Sequence, residues 1–283
     1  MNTIAHTPDG RTARKAAAAL ALASTLAIAG FTFLGSIFEY PQILEEPTGD
    51  ILALFREHQG AVMSWFGVLV LSAALMAPAG IWLGRIAGGN LGRWIAGVGI
   101  AAATVQVVGL QRWVTLVPGI SDDALNPAQR ADAEDRFELL HTVLGKVIGE
   151  TLGYALTATF TVLVVVALRR TVLPGWLAVL GVASAGLIAT GVAIPVFEPA
   201  SLTNFIGYVA WCAWLLAAAV FLVRVQAPAP STTVTPGVVT TPWSRLSEPS
   251  SAGLPTVRRA AQATQRVGVP RATWRRRHQP GGE

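Results

Sequence analysis

Six apolar runs, at residues 16–37, 61–83, 94–117, 143–168, 172–196 and 205–223, constrain this chain more than any other feature. Each holds about 20 residues, enough to carry a helix across a hydrocarbon core roughly 30 Å thick. Helix is the required form. Backbone groups left unpaired in lipid are too costly, and the runs lack the period-two alternation of a barrel strand. The expected fold class is therefore all-α, a polytopic membrane protein of six transmembrane helices. Composition agrees: 13% of residues are charged, against about 25% in soluble domains, and the mean hydropathy is +0.51. Pro78, Pro174 and Pro195 fall near span ends or at a kink in the second span, where a helix bundle tolerates them.

Orientation follows from the flanking cations. Arg11, Arg14, Lys15, Arg85, Arg93, Arg169, Arg170 and Arg224 flank one side, eight against the four of Arg56, Arg112, Arg130 and Arg136 on the other. The first side is expected to be cytoplasmic, with both termini inside. Basic residues before the first run resemble a signal peptide, and "AIAG" supplies small residues, but the run is longer than the 7–15 residues or so of a signal core. An uncleaved span is expected, in the cell inner (plasma) membrane. The expected domains are a basic N-terminus (1–15), the transmembrane domain (16–224) and a cytoplasmic tail (225–283). Arginine far outnumbers lysine, 19 to 2, and with abundant Ala, Gly and Val this suggests a GC-rich bacterial genome.

Beyond Arg224 the chain turns rich in Pro, Ser and Thr without apolar periodicity, so it is expected to be disordered. This tail carries eight Arg and two Glu, a charge of +6, which leaves −1 for the rest of a chain whose net charge is +5. Its arginines could lie on anionic lipid headgroups, or could simply be solvated and reinforce the orientation signal. No nucleic-acid partner is expected, and the bilayer is the one partner the sequence names.

Two acidic loops face the other side. In "DILALFREHQ", Ile51, Leu54 and Phe55 share one helical face, which predicts a short helix on the rim. In "NPAQRADAEDRFELLH", Asn126 as cap, Pro127 at the first position and Gln129 three after the cap predict a helix start that runs into the fourth span.

Charge inside the spans is the functional flag. In "HTVLGKVIGETLGYALT", 100° per residue puts Lys146, Glu150 and Thr157 on one face. Gly145, Gly149 and Gly153 form an adjacent stripe suited to close helix contact. The same periodicity points His141 away from Glu150. Lys146 and Glu150 read either as a packing ion pair or as titratable groups lining a polar pocket. Gln106, Gln111 and Arg112 in the third span could join them in a polar patch in the outer half of the bundle, with Glu39, Arg56, His58 and His141 at the outer rim. Arg112 with Trp113 also reads as an interfacial anchor. His58 and His141 are conceivable axial haem ligands, although a histidine at a span entrance is commonly polar trim. Enzyme motifs such as HExxH, GxSxG or a phosphate loop are absent, and the lone Cys212 forms no disulfide or cysteine cluster within one chain. No metal and no cofactor are called for by any motif.

The phrases "FEYPQIL…FREHQGAVMSWFGVLVLSAALMAP", "VQVVGLQRWVTLVPG" and "LHTVLGKVIGETLGY" resemble the bacterial membrane proteins grouped as domain of unknown function 4386, over about residues 16–224. That resemblance implies six spans and carries no catalytic or cofactor residue across. Three functions remain open: a binding or transport module for a small solute or ion at the polar patch, an accessory membrane protein acting through partner contacts, and an intramembrane haem or redox protein.

Overall fold

A computed structural model describes residues 10–197 and 199–224. The tail beyond Arg224, with its disorder and lipid-headgroup readings, lies outside these described residues. Among them are six helices long and apolar enough to cross a membrane, and no strand.

Helix α1 (Gly10–Ile37) forms the first span. A short helix α2 (Thr48–Glu57) precedes the second span, α3 (Gln59–Ala74) with α4 (Met76–Ala87). The third is α5 (Gly89–Thr115) with α6 (Val117–Asp123). The fourth joins α7 (Arg130–Leu140), a π-helical segment (His141–Leu152) and α8 (Gly153–Leu168). The last two are α9 (Gly175–Ala189) and α10 (Ala200–Arg224). Each span packs on its neighbours in chain order, and α10 returns to pack on α1. The six thus close into a ring, with α1 an integral wall of it.

Breaks between paired helices have local causes. Pro78 has no N–H to offer the carbonyl of Ala74, so α3 ends there and α4 restarts at Met76. Gly88 and Gly89 take φ of 68° and 56° in the turn from α4 to α5, a conformation that side chains with a Cβ disfavour. The rim helix is present, burying Ile51, Leu52 and Phe55, with Leu54 only partly covered. The start of α7 differs from expectation. Asn126 Oδ1 accepts from the Ala128 amide at 3.1 Å, and this turn delays the helix to Arg130. The side-chain bond that would cap a helix at Asn126 is made within the loop instead.

Two apolar clusters fill the bundle. The larger joins α1, α4, α8, α9 and α10 through residues such as Leu20, Leu83, Phe160, Leu177 and Trp214. The smaller lies at the end capped by α2, α6 and α7, and centres on Trp113 packed among Phe38, Phe55, Phe66 and Phe137. Arg112 and Trp113 are 3% and 0% exposed. They are not interfacial anchors, because the cap covers the end of α5 that would otherwise meet the headgroups.

Candidate functional site

The site forms where α5 crosses the π-helical segment. Gly145 and Gly149 of that segment, and Gly153 just after it, all face α5. A Cβ on Gly145 would sit 2.7 Å from Arg112 Nη2, one on Gly153 3.3 Å from Gln106 Cγ, and one on Gly109 2.6 Å from Gly149 Cα. Partners step by four along the segment and by three along α5, as an antiparallel crossing requires. Only glycines let the backbones of Gly109 and Gly149 meet this closely.

The π winding changes which residues share a face. Thr151 Oγ1 donates to the Lys146 carbonyl five residues back, at 2.9 Å. With hydrogen bonds closing i→i+5, each residue turns roughly 80–90° instead of 100°. Nine residues then complete about two turns, so His141 and Glu150 come to the same side. The α-helical projection put them on opposite sides. Lys146 is exposed and Glu150 half-buried, and no ion pair within 4.0 Å joins them. The ion pairs among the described residues are Arg136–Asp123 at 2.7 Å and His58–Glu57 at 3.8 Å.

Arg112 occupies the centre. Its Nη1 donates to the Gly109 carbonyl, its Nη2 lies 3.4 Å from His141 Nδ1, and its guanidinium carbon is 5.3 Å from the centroid of the Trp113 ring. His141, 7% exposed, stacks on Phe137 with the rings 5.8 Å apart and 4° from parallel. Arginine has only donors, so His141 Nδ1 is the acceptor and the ring proton belongs on Nε2. Arg112 Nε, His141 Nε2, Trp113 Nε1 and Ser121 Oγ are buried without a hydrogen-bond partner. No carboxylate stands within ion-pair distance of the Arg112 guanidinium among the described residues.

Tyr40, just past the end of α1, faces the same groups. Burial first and the Glu150 carboxylate second push its phenol up to about 12, against the opposing pull of Arg112. Below the cluster, Gln106 Nε2 donates to Thr157 Oγ1 at 2.7 Å, and the Tyr208 ring meets that of Tyr154 at 5.8 Å.

The sequence candidates therefore divide. Arg112, His141 and Glu150 come together, with Gln106 one step deeper. Gln111 makes a local bond, its Oε1 accepting from Thr115 Oγ1 at 2.6 Å. Lys146 and Glu39 are exposed. Arg56 ties the cap, its Nη1 donating to the Ser121 carbonyl at 3.1 Å. His58 sits beside Glu57 with 40% of its side chain exposed, in surroundings unlike those of His141. Tyr40 and Tyr154 were missed. Tyr40 lies in a loop phrase outside every span, and Tyr154 reads as an ordinary span aromatic. The signal that could have found Tyr154 is its spacing of four from Glu150. A second polar region lines the cap: an open cavity of about 560 Å³ bordered by Asp123, Gln129, Asp132, Asp135 and Arg136.

A family model described as Domain of unknown function (DUF4386) matches residues 16–219. The chain belongs to that family. No curated protein and no solved structure matches it. The DUF4386 match takes in every residue of the cluster, from Tyr40 to Tyr208, and ends before the basic tail. The protein is a multi-pass helical membrane protein of this family.

Proposed function

We propose that this DUF4386 protein is a binding or transport module for a small polar solute, which reaches the Arg112 cluster from the capped end. The flanking-cation count supports an outward-facing cap, with both termini in the cytoplasm and the bundle in the inner membrane. One observation carries the reading: a buried guanidinium, 3% exposed, with a hydrogen-bonding atom to spare and no carboxylate paired to it among the described residues. A buried, unpaired charge costs several kcal/mol, and a fold retains such a cost where a ligand offsets it. Ionisable groups inside a membrane bundle mark solute or ion sites by default. The half-buried Glu150 and Tyr40 beside it supply the polar lining that a solute would pass.

The rival reading, an accessory protein whose polar groups only lock helices, gives Arg112 the opposite energetic sign. Thermal unfolding of the purified full chain, with a panel of small anions, cations and neutral amides, separates the two. A solute that raises Tm in the parent, and fails to do so in Arg112→Gln, supports binding at the cluster. No shift with any solute, together with a lower Tm in Arg112→Gln, supports the locking role and ends the binding proposal.

A further inference from the structure

The orphaned groups at the site have a common chemical sense. Arg112 Nε and Trp113 Nε1 carry hydrogens and have no acceptor capacity. His141 Nδ1 is committed as acceptor to the Arg112 guanidinium at 3.4 Å, which leaves Nε2 as a third donor. Ser121 Oγ can serve either way. The buried groups without partners are thus three donors and one hydroxyl, with no obligate acceptor among them. The three donor side chains are contiguous: Arg112 meets His141 and the Trp113 ring, and Phe137 packs against both the Trp113 and the His141 rings. A group rich in acceptors satisfies such a set, whereas a cation or a plain amine does not.

Charge narrows the class further. The ionic groups of the α5–π crossing are Arg112 on α5 and Lys146 and Glu150 on the π segment, two cations against one carboxylate, which leaves one positive charge in excess. Tyr40, Tyr154 and Tyr208 face them from other elements and His141 from the start of the π segment, and these neutral groups leave that excess unchanged. A single negative charge cancels it. From this donor set and charge we infer that the site takes a small monoanion of the carboxylate type, its oxygens accepting from Arg112 Nε and His141 Nε2. A guanidinium suits a carboxylate because its planar donors match the paired oxygens. This inference rests on the binding reading above and gives it a ligand class. A carboxylate could arrive free in solution or at the head of a fatty acid, and the recognising chemistry is the same.

The test uses the full chain in phosphatidylcholine nanodiscs at constant sodium concentration, with binding read by isothermal titration. The probes are sodium propionate, its neutral isostere propionamide, ethylammonium chloride, inorganic phosphate and oleate. Propionate is expected to bind at least about tenfold more tightly than propionamide, since charge-assisted bonds are roughly twice as strong as neutral ones. Arg112→Lys keeps the charge but removes the planar donors, and is expected to weaken propionate about tenfold. His141→Phe keeps the stack on Phe137 and is expected to weaken it at least about threefold. Should either variant fail to fold, the propionate-to-propionamide ratio in the parent still decides. Binding of oleate alone supports the carboxylate class and assigns its source to the bilayer. Equal binding of propionamide, or tighter binding of ethylammonium or phosphate, overturns the carboxylate inference while leaving a binding module standing. Absence of binding by every probe overturns both.

Discussion

The two ends of this bundle treat buried polar groups in opposite ways. Away from the cap, the buried polar side chains among the described residues are answered. Ser24 donates to the Cys212 carbonyl at 2.9 Å, Ser72 to that of Ala23 at 2.7 Å, and Trp214 Nε1 to that of Leu177 at 3.0 Å. Trp211 Nε1 finds Thr161 Oγ1 at 2.8 Å. Under the cap, four buried polar atoms of Arg112, Trp113, Ser121 and His141 have no partner. The same chain satisfies its polar groups in one region and leaves them open in the other, and the open region is where it also abandons α-helical winding. Loose packing does not explain the contrast, because Trp113 is as fully buried as Trp214. Unsatisfied donors in such a tight shell point to an acceptor from outside the chain.

The largest effect expected is at the satisfied end. Trp214→Ala removes a fully buried ring and its hydrogen bond to the Leu177 carbonyl, and should cost about 3–5 kcal/mol in denaturant unfolding. The Trp113 indole has no hydrogen bond to lose, so Trp113→Phe should cost far less than Trp214→Phe. Equal losses in those two would remove the contrast between the ends. Next comes Gly109→Val, whose Cβ would fall 2.6 Å from Gly149 Cα. Overpacking at this backbone contact should cost about 1–3 kcal/mol and separate α5 from the π segment.

Arg112→Met reverses the sign. It removes a buried charge that no carboxylate pairs, so ligand-free protein should gain about 1–2 kcal/mol, with the lost contact to the Gly109 carbonyl holding the gain down. A clear loss of stability would make Arg112 a structural lock. Tyr40 gives a pH counterpart. Its phenol ionises near 10 when unfolded and is pushed up to about 12 in the fold. Between those values the folded state holds the proton more firmly, so its contribution is full below about pH 10 and declines as pH rises through about 12. Unfolding measured from about pH 9 to about pH 12 should show that decline in the parent and a flatter profile in Tyr40→Phe.

Six spans were legible because length and apolarity alone decide whether a segment crosses lipid, and both are written locally. The glycine stripe was legible for a similar reason: Gly145, Gly149 and Gly153 do meet α5. What failed was the winding assumed between them. A fixed 100° per residue sent His141 away from Glu150, yet the i→i+5 winding turns both toward one side of the segment. Helix type depends on what α5 presses against that segment, which no single stretch records. The anchor reading of Arg112 failed for a related reason, since the cap that buries it comes from α2 and α7, distant in sequence. The loop-borne Tyr40 had no periodicity to announce it.

The smallest expected effect concerns the charges that stand out most in the sequence. Lys146 is exposed and Glu150 half-buried, and no ion pair joins them. Lys146 contributes to the π winding through its backbone carbonyl, which accepts from Thr151, and a side-chain change leaves that bond in place. A double-mutant cycle on Lys146→Met and Glu150→Gln should therefore return a coupling within about 0.5 kcal/mol. Glu150→Gln alone should have the larger single effect, because its carboxylate is the negative charge that acts on the Arg112–Tyr40 cluster. A coupling of about 2 kcal/mol or more would mean that the two side chains meet in the membrane. Arg112 would then stand as the one unpaired charge of the crossing, and the call for an anion would rest on it alone.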